Sequence, residues 1–333
     1  MSPGLNKKRM LNLMRAAVER CRLDLRDSVV LTEAASGAYV VTPILAAMAG
    51  ARRVFAMTRP TRYGSVEEVT AGTTELARAA ECDDRIEIIT ELTPQIIGQA
   101  DIVTNSGHVR PIDARFISRM KPGAVIPLMY EAWEYRTDDL DLSGCRERGI
   151  TVGGTNERIP QVDVFSYLGV MAVKLLLDAG VSVYGSHLLV LCDNPFAPYI
   201  ERGLLGAGAT VQMARDLGTA ITDRAPVDAI LVAMHPRKEP VIAAADAAAI
   251  AARWPGAVLA QYWGDVDRDA LVVAGVVCWP ERAPHAGHMA ILPSGVGPES
   301  IVRLQSGGLK VGEVLLRAAR SGDRTGWEFV DEL

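Results

Sequence analysis

Short apolar runs rich in valine and isoleucine alternate along the chain with longer stretches in which apolar residues recur at helical spacing. In the first half of the chain the runs predict strands at Ser28–Thr32, Val54–Thr58, Ile86–Thr90, Asp101–Asn105, Ala124–Met129 and Ile150–Val152. The helical stretches between them lie at Val40–Ala49, Val66–Ala80, Thr93–Gly98 and Ala114–Met120. Apolar strands separated by helices are typical of a parallel sheet covered on both faces.

A second array of the same kind follows a long apolar helix at Val162–Gly180. Its strands are predicted at Leu188–Cys192, Thr210–Met213, Ala229–Ala233, Ala257–Tyr262 and Leu271–Val277. A lead-in helix precedes the first array, and a final helix is predicted at Pro298–Ala319. We therefore expect the α/β class, with two Rossmann-like doubly wound parallel-sheet domains and a cleft between them. The predicted domains are residues 1–160 and 182–333, joined by an interdomain helix at 161–181.

Composition narrows the class of protein. A length of 333 residues suits two domains, and 49% hydrophobic with 23% charged residues is ordinary for a globular enzyme. The net charge of −5 disfavours nucleic acid as a partner, because phosphate binding needs a basic face. No apolar run is long enough to span a membrane, and the first residues lack a signal-peptide core. We expect a cytoplasmic protein with a small-molecule substrate, no membrane partner and a possible homodimeric state.

The stretch that begins at Leu188 has the order of a β-α-β unit, LLVLCDNPFAPYIERGLLGAGATVQMARD. A dinucleotide-binding turn would carry G-x-G-x-x-G after the first strand, but those glycine positions fall on Cys192, Asn194 and Ala197. Asp193 adds a negative charge at the same turn. Asp193 and Asn194 are therefore candidate cofactor-binding residues, although the aspartate would repel a pyrophosphate and would suit a cationic group or a hydroxyl instead.

The layout resembles the D-2-hydroxyacid dehydrogenases and, more distantly, the S-adenosylhomocysteine hydrolases. The segments that carry the resemblance are Asp139–Glu157, Leu188–Val211, Trp254–Leu271 and Ala283–Met289. The resemblance implies a two-lobed Rossmann protein with a nicotinamide cofactor. It also implies that His285, in the APHAGHM segment, is the catalytic acid or base.

The first array has a small-residue turn of its own after its first strand, TEAASGAYVVTP. Ser36 and Gly37 in this turn would let a ligand approach the start of the following helix closely. The next strand ends at Thr58, and Arg59 and Arg62 follow where a Rossmann domain places the cofactor ribose. Guanidinium groups there would favour NADP over NAD, because they bind a 2′-phosphate. The alternative interpretation is an ordinary packing turn and a surface loop.

Two further segments follow strand ends in the first array. His108 and Arg110 in NSGHVRPID would lie at the carboxyl edge of the sheet, where a histidine transfers protons and an arginine binds anions. Glu131 in YEAWEYR stands beside aromatic residues, as in a site for a substrate amine or sugar. Helix capping, packing or an interface would explain the same residues. His285 and His288 have no third ligand nearby in sequence, so no metal is expected.

These features together predict an NAD(P)-dependent oxidoreductase that acts on a small polar, anionic metabolite. In this scheme Arg110 grips the substrate and His285 or His108 moves the proton. The missing glycines favour an alternative, a lyase, hydrolase or transferase on the same fold without a nicotinamide site. A ligand-binding protein without catalytic activity is the third interpretation.

Overall fold

The computed structural model describes residues 3–221 and 225–333. These residues form two compact units, each built on a largely parallel sheet, which confirms the predicted fold class. Unit 1 comprises the described residues up to Val164 together with Gly297–Leu333, and unit 2 comprises Phe165–Val296. The sequence pattern assigned residues 182–333 to one domain, whereas the final helix packs with unit 1.

Unit 1 contains seven strands among its described residues. They are β1 Val29–Glu33, β2 Arg53–Met57, β3 Ile86–Ile89, β4 Ile102–Val103, β5 Val125–Pro127, β6 Thr151–Thr155 and β12 Val330–Asp331. The helices of unit 1 are α1 Lys7–Cys21, α2 Val41–Met48, α3 Val66–Ala79, α4 Pro94–Gln99, α5 Ala114–Ile117, α6 Leu142–Glu147 and α12 Pro298–Ser321. A 3₁₀ turn, Gly37–Val40, leads into α2.

The sheet of unit 1 has the order β12-β6-β5-β4-β1-β2-β3, and only β12 runs antiparallel. The order β3-β2-β1-β4-β5-β6 is that of dinucleotide-binding Rossmann domains. From β1 the chain continues to β2 and β3 on one side of β1, and it then returns to β4 on the other side. The carboxyl ends of β1 and β4 therefore flank a crevice where ligands of such sheets bind. We call this place the switch point of unit 1.

Helix α12 lies directly on the sheet of unit 1, which explains its assignment to that unit. A Cβ at Gly308 would lie 2.5 Å from the Met129 sulfur, and one at Gly312 would lie 2.7 Å from Ile102. Leu309 and Val311 are fully buried in the same core. Only glycine permits this close approach, so α12 is a central element of unit 1 rather than an appendage of unit 2.

Unit 2 is a smaller parallel sheet with the order β11-β10-β9-β7-β8. Its strands are β7 His187–Leu191, β8 Thr210–Ala214, β9 Ala229–Ala233, β10 Val258–Trp263 and β11 Cys278–Trp279. Its helices are α7 Tyr167–Asp178, α8 Ala197–Gly206, α9 Leu217–Ala220, α10 Ala244–Arg253 and α11 Arg268–Ala274. The switch point of unit 2 lies between the carboxyl ends of β7 and β9.

One predicted strand is wrong. The apolar run Leu271–Val277 falls largely on helix α11. The strand β11 consists of the two residues that follow this run, Cys278 and Trp279. The Asp267 side chain accepts a hydrogen bond from Ala270 N at 2.9 Å, and Gly275 ends the helix at φ 73°. These capping signals outweigh the strand preference of the valines, of which Val273 is 89% exposed.

The other boundaries shift by a few residues. Helix α7 begins at Tyr167 instead of Val162, because Asp163 has φ 48° and Val162 and Val164 are buried in the core of unit 1. Within the described residues, no helix is both long enough and apolar enough to cross a membrane.

Candidate functional site

The switch point of unit 1 is built around Glu33, the last residue of β1. Glu33 is 8% exposed, and its carboxyl oxygen Oε2 accepts a hydrogen bond from His108 N at 3.2 Å. Burial raises the pKa of Glu33, against the lowering effect of the His108 N–H and charge. A carboxyl group that holds its proton more tightly than usual therefore joins the ends of β1 and β4. Sequence analysis missed Glu33, although an acid that ends an otherwise apolar strand was a visible signal.

The turn after β1 leaves open space at the switch point. Gly37 has φ +65°, and apart from its chain neighbours no atom of the described residues lies within 4 Å of the position that a Cβ would occupy. The Ser36 side chain makes no capping hydrogen bond to the following helical turn. A Cβ at Gly64, in the loop after β2, would lie 3.9 Å from Ser36 Cβ. The predicted residues Ser36 and Gly37 thus adjoin the loop that carries the other predicted cofactor residues.

That loop begins at Thr58, whose buried hydroxyl has no hydrogen-bond partner within the described part of the chain. Arg59 and Arg62 are exposed. The Arg62 guanidinium lies 4.7 Å from the ring centroid of Tyr63. Among residues 3–221 and 225–333, neither arginine forms an ion pair with a carboxylate. The loop therefore offers positive charge and one unused buried hydroxyl.

Arg110 organises the ends of β4 and β5. Its Nε donates to Asn105 Oδ1 at 2.9 Å, its Nη2 donates to Asn105 O at 2.7 Å, and its Nη1 lies 3.1 Å from Asp139 Oδ2. The Asn105 amide donates in turn to the Tyr130 hydroxyl at 2.7 Å. The guanidinium is thus engaged by the chain itself, and half-buried His108 lies in the same loop. Substrate binding by Arg110 stays a prediction.

An acidic cluster of Glu131, Glu134 and Glu157 follows β5 and β6. The Glu131 carboxylate is 1% exposed and accepts hydrogen bonds from Arg158 Nη2 at 2.8 Å and Trp133 Nε1 at 2.7 Å. Burial and the neighbouring Glu131 charge raise the pKa of Glu134 to about 7. Burial, followed by Glu134 and Glu131, raises the pKa of Glu157 well above its usual value. Glu134 and Glu157 therefore retain protons that exposed glutamates would lose.

The Tyr39 hydroxyl lies within the electrostatic influence of both the switch point and the acidic cluster. Burial, and then the charges of Glu33 and Glu157, raise the pKa of its hydroxyl to about 12. The hydroxyl is therefore a proton donor throughout the physiological range. Tyr39 was absent from the sequence-based candidates, because nothing in its local sequence distinguishes it from a packing residue. The sequence offered two interpretations of Glu157, a residue that faces a cleft or a residue that caps the following helix.

The raised pKa of Glu134 predicts a specific pH dependence of stability. Since the folded protein binds this proton more tightly than the unfolded chain, the resulting stability is complete below about pH 4.5 and lost as the pH rises through about 7. Glu134→Gln imitates the protonated side chain. We expect it to leave the free energy of unfolding nearly unchanged near pH 4 and to raise it near pH 8, by on the order of 1–3 kcal/mol.

Urea titrations of wild type and variant at the two pH values measure this difference. Exposed Glu91 supplies the matched control, because Glu91→Gln makes the same chemical change on the surface of unit 1. An equal effect of Glu134→Gln at both pH values would contradict the prediction.

The switch point of unit 2 is occupied by its own side chains. The Asp193 carboxylate accepts hydrogen bonds from His235 N and Arg237 Nη2, both at 2.8 Å. Asn194 Nδ2 donates to Ala233 O at 2.7 Å, and its Oδ1 accepts from Phe196 N at 3.0 Å. Asp193 and Asn194 thus tie the turn after β7 to the segment around the end of β9.

Aromatic rings pack at the same place. Phe196 stacks on Trp263 with ring centroids 5.2 Å apart, and the His235 ring lies 5.0 Å from Trp263. A pyrophosphate needs free backbone N–H groups and no opposing carboxylate. The residues of this crevice therefore do not fit a dinucleotide.

His285 and His288 lie in an exposed loop of unit 2, with ring centroids 6.0 Å apart. The loop is held by Trp263 Nε1, which donates to Gly287 O at 3.1 Å. In the described residues no three histidine, cysteine or acidic side chains are grouped as metal ligands. The structure brings Glu33, His108, Arg110 and Glu131 to the carboxyl edge of unit 1, whereas His285 belongs to unit 2.

No protein-family model and no curated protein sequence matches the chain. Among solved structures, a dipicolinate synthase chain from Bacillus subtilis has a TM-score of 0.55 at 10% identity, over 89% of this chain and 99% of that one. The corresponding dipicolinate synthase chain from Bacillus halodurans has a TM-score of 0.53 at 11% identity, over 90% and 99%. A transhydrogenase from Sinorhizobium meliloti has a TM-score of 0.50 at 13% identity, over 87% and 96%. The similarity is one of fold. It confirms the resemblance of this chain to two-lobed Rossmann proteins.

Proposed function

We propose that the protein is an NAD(P)-dependent oxidoreductase for a small polar, anionic metabolite, with its site at the carboxyl edge of the unit 1 sheet. One observation carries the proposal: the strand order of unit 1 matches that of dinucleotide-binding domains and brings a small-residue turn and Glu33 to the switch point. The fold of the chain, which it has in common with a transhydrogenase, is consistent with this function.

The residues of unit 1 fit a dinucleotide better than those of unit 2. The open turn at Ser36 and Gly37 would receive the pyrophosphate, and the loop from Thr58 to Arg62 would receive the adenosine ribose. When bound, the nicotinamide supplies hydride transfer.

The residues of the chain supply the proton and the orientation. Glu33, held by the His108 N–H, accepts or donates the proton of the substrate, because burial makes this carboxyl group hold its proton more tightly than an exposed glutamate does. Arg110 holds Asn105 and, through it, Tyr130 in place. In their protonated forms Glu134 and Glu157 carry no charge, so they donate hydrogen bonds to an anionic substrate instead of repelling it.

We further propose that the protein is cytoplasmic and homodimeric. Its ligand is a small molecule, and it binds neither nucleic acid nor a membrane. The net charge of −5 supports the proposal that nucleic acid is not a ligand, since a negatively charged protein repels a polyanion.

The test combines binding and turnover. Purified protein is titrated calorimetrically with NAD, NADH, NADP and NADPH, and then incubated with small hydroxy, amino and oxo acids while the absorbance of reduced nicotinamide is followed. We expect one nicotinamide pair to bind and one substrate class to react. Glu33→Gln should retain cofactor binding and lose turnover by about 100-fold or more, the usual contribution of a general acid or base. Binding of none of the four nicotinamides would overturn the proposal.

The filled crevice of unit 2 favours a second function, a lyase, hydrolase or transferase on the same fold. Asp193 and the stacked rings occupy the place where the resembling dehydrogenases would hold their cofactor. For such an enzyme we expect Glu33→Gln to abolish turnover of a substrate while no nicotinamide binds.

A further inference from the structure

The loop after β2 presents an arginine and an aromatic ring at the tip of a tight turn. Thr61 N donates to Gly64 O at 3.1 Å, and Gly64 N donates to Thr61 O at 3.4 Å. Between these residues, Arg62 donates to the Tyr63 hydroxyl, and Tyr63 is 67% exposed. An exposed ring with a guanidinium over it offers a flat surface on which a purine base stacks.

Within the described part of the chain, no carboxylate neutralises the positive charge of this loop. Elsewhere in unit 1 arginines pair with carboxylates, as Arg53 does with Glu87 and Arg110 with Asp139. Arg59 and Arg62 have no such partner among the described residues. Glu68 of α3 accepts a hydrogen bond from Ser65 N at 2.8 Å in a capping box.

The loop also lies at the correct place on the sheet. In Rossmann domains the adenosine ribose binds at the end of the second strand, where an acidic residue selects the free 2′-hydroxyl of NAD and an arginine accommodates the 2′-phosphate of NADP. Here β2 is followed by Thr58 and Arg59, with no acid before Glu67. The contact between Gly64 and Ser36 places the loop beside the turn at the switch point. The unpartnered, fully buried Thr58 hydroxyl is a second sign of a ligand here.

We propose that the loop Arg59–Gly64 binds the 2′-phosphoadenosine end of NADP, with both arginines on the 2′-phosphate and Tyr63 against the adenine. This inference rests on the proposed function and adds to it the choice between the two cofactors. Two charge-assisted contacts to one phosphate would discriminate strongly, since NAD has only a hydroxyl at that position.

Adenosine 2′,5′-bisphosphate tests the site without hydride chemistry, with adenosine 5′-monophosphate as the probe that lacks the 2′-phosphate. In calorimetric titrations of the full chain we expect the bisphosphate to bind at least about tenfold more tightly. Arg59→Gln and Arg62→Gln should each weaken bisphosphate binding by about tenfold and leave monophosphate binding nearly unchanged. Exposed Arg15 on α1 supplies the control, since Arg15→Gln removes the same charge elsewhere on unit 1. Tyr63→Ala should weaken both probes.

The outcomes separate this inference from the proposed function. Equal affinity for the two probes, or equal loss with Arg15→Gln, overturns the 2′-phosphate site. If NAD binds and supports turnover while both arginine variants behave as wild type, the oxidoreductase stands and the NADP assignment falls. If the bisphosphate binds through the two arginines but no nicotinamide supports turnover, the phosphate site stands and the redox function falls.

Discussion

Replacement of Glu313 by alanine is expected to lower the free energy of unfolding by about 3–5 kcal/mol, the usual effect of removing one partner of a buried ion pair. Glu313 on α12 is 8% exposed, and Lys310, one helical turn before it, is 6% exposed. Lys310 Nζ donates to Glu313 Oε1 at 2.7 Å and to Arg22 O, at the end of α1, at 2.9 Å. The Glu313 carboxylate also accepts a hydrogen bond from Asp24 N at 2.8 Å.

The loss is large because the alanine variant leaves a buried ammonium group without its counter-charge and the Asp24 N–H without its acceptor. Denaturant titration followed by circular dichroism measures the effect. The double variant Lys310→Met, Glu313→Leu removes both charges and should recover the part of the loss that comes from the unpaired ammonium group. Glu75→Ala breaks the exposed pair with Lys7 and should change stability by less than about 1 kcal/mol. A Glu313→Ala effect as small as that of Glu75→Ala would show that the buried pair does not stabilise unit 1.

Gly203→Ala is expected to destabilise unit 2 by about 1–3 kcal/mol, the range for overpacking a close contact. In an exposed helix the same change would stabilise by about 1 kcal/mol, because alanine has the higher helix propensity. Here α7 and α8 cross with backbone against backbone. A Cβ at Gly203 would lie 2.5 Å from Gly169 Cα, and one at Gly169 would lie 2.5 Å from Tyr199 O. Backbone atoms cannot rotate away as a side chain would, so the helices must separate.

Gly206 is the matched control for this prediction. It lies in the same helix, and outside the backbone of that helix a Cβ there would meet no atom of the described residues within 4 Å. We expect Gly206→Ala to be neutral or stabilising, by up to about 1 kcal/mol. Thermal unfolding compares the two variants, and amide hydrogen exchange assigns the loss to α7 and α8. If the two substitutions changed stability equally, the glycine crossing would not be a packing constraint.

The amino-acid sequence determined the elements and their class. Buried runs such as Ala229–Ala233 become strands with the predicted bounds, because five consecutive apolar residues are stable only inside a covered sheet. The capping residues of α3 and α11 were also present in the local sequence, and neglect of Asp267 and Gly275 produced the wrong strand at Leu271–Val277. The small-residue turn at Ser36 and Gly37 and the arginines after β2 could be recognised as candidate sites from the sequence. Their signal consists only of residues that are adjacent in the chain.

Only the tertiary structure decided which of these pieces meet. Strand order is set by packing of whole elements, so no local pattern indicates that β1 lies beside β4 and that Glu33 reaches the His108 N–H. The same holds for α12, which packs into unit 1 through glycines far from β4 in sequence. Burial, which raises the pKa of Glu134, is likewise a property of the assembled edge. Local chemistry is encoded along the chain, whereas proximity, desolvation and the filling of the unit 2 crevice by Asp193 arise only when distant segments pack together.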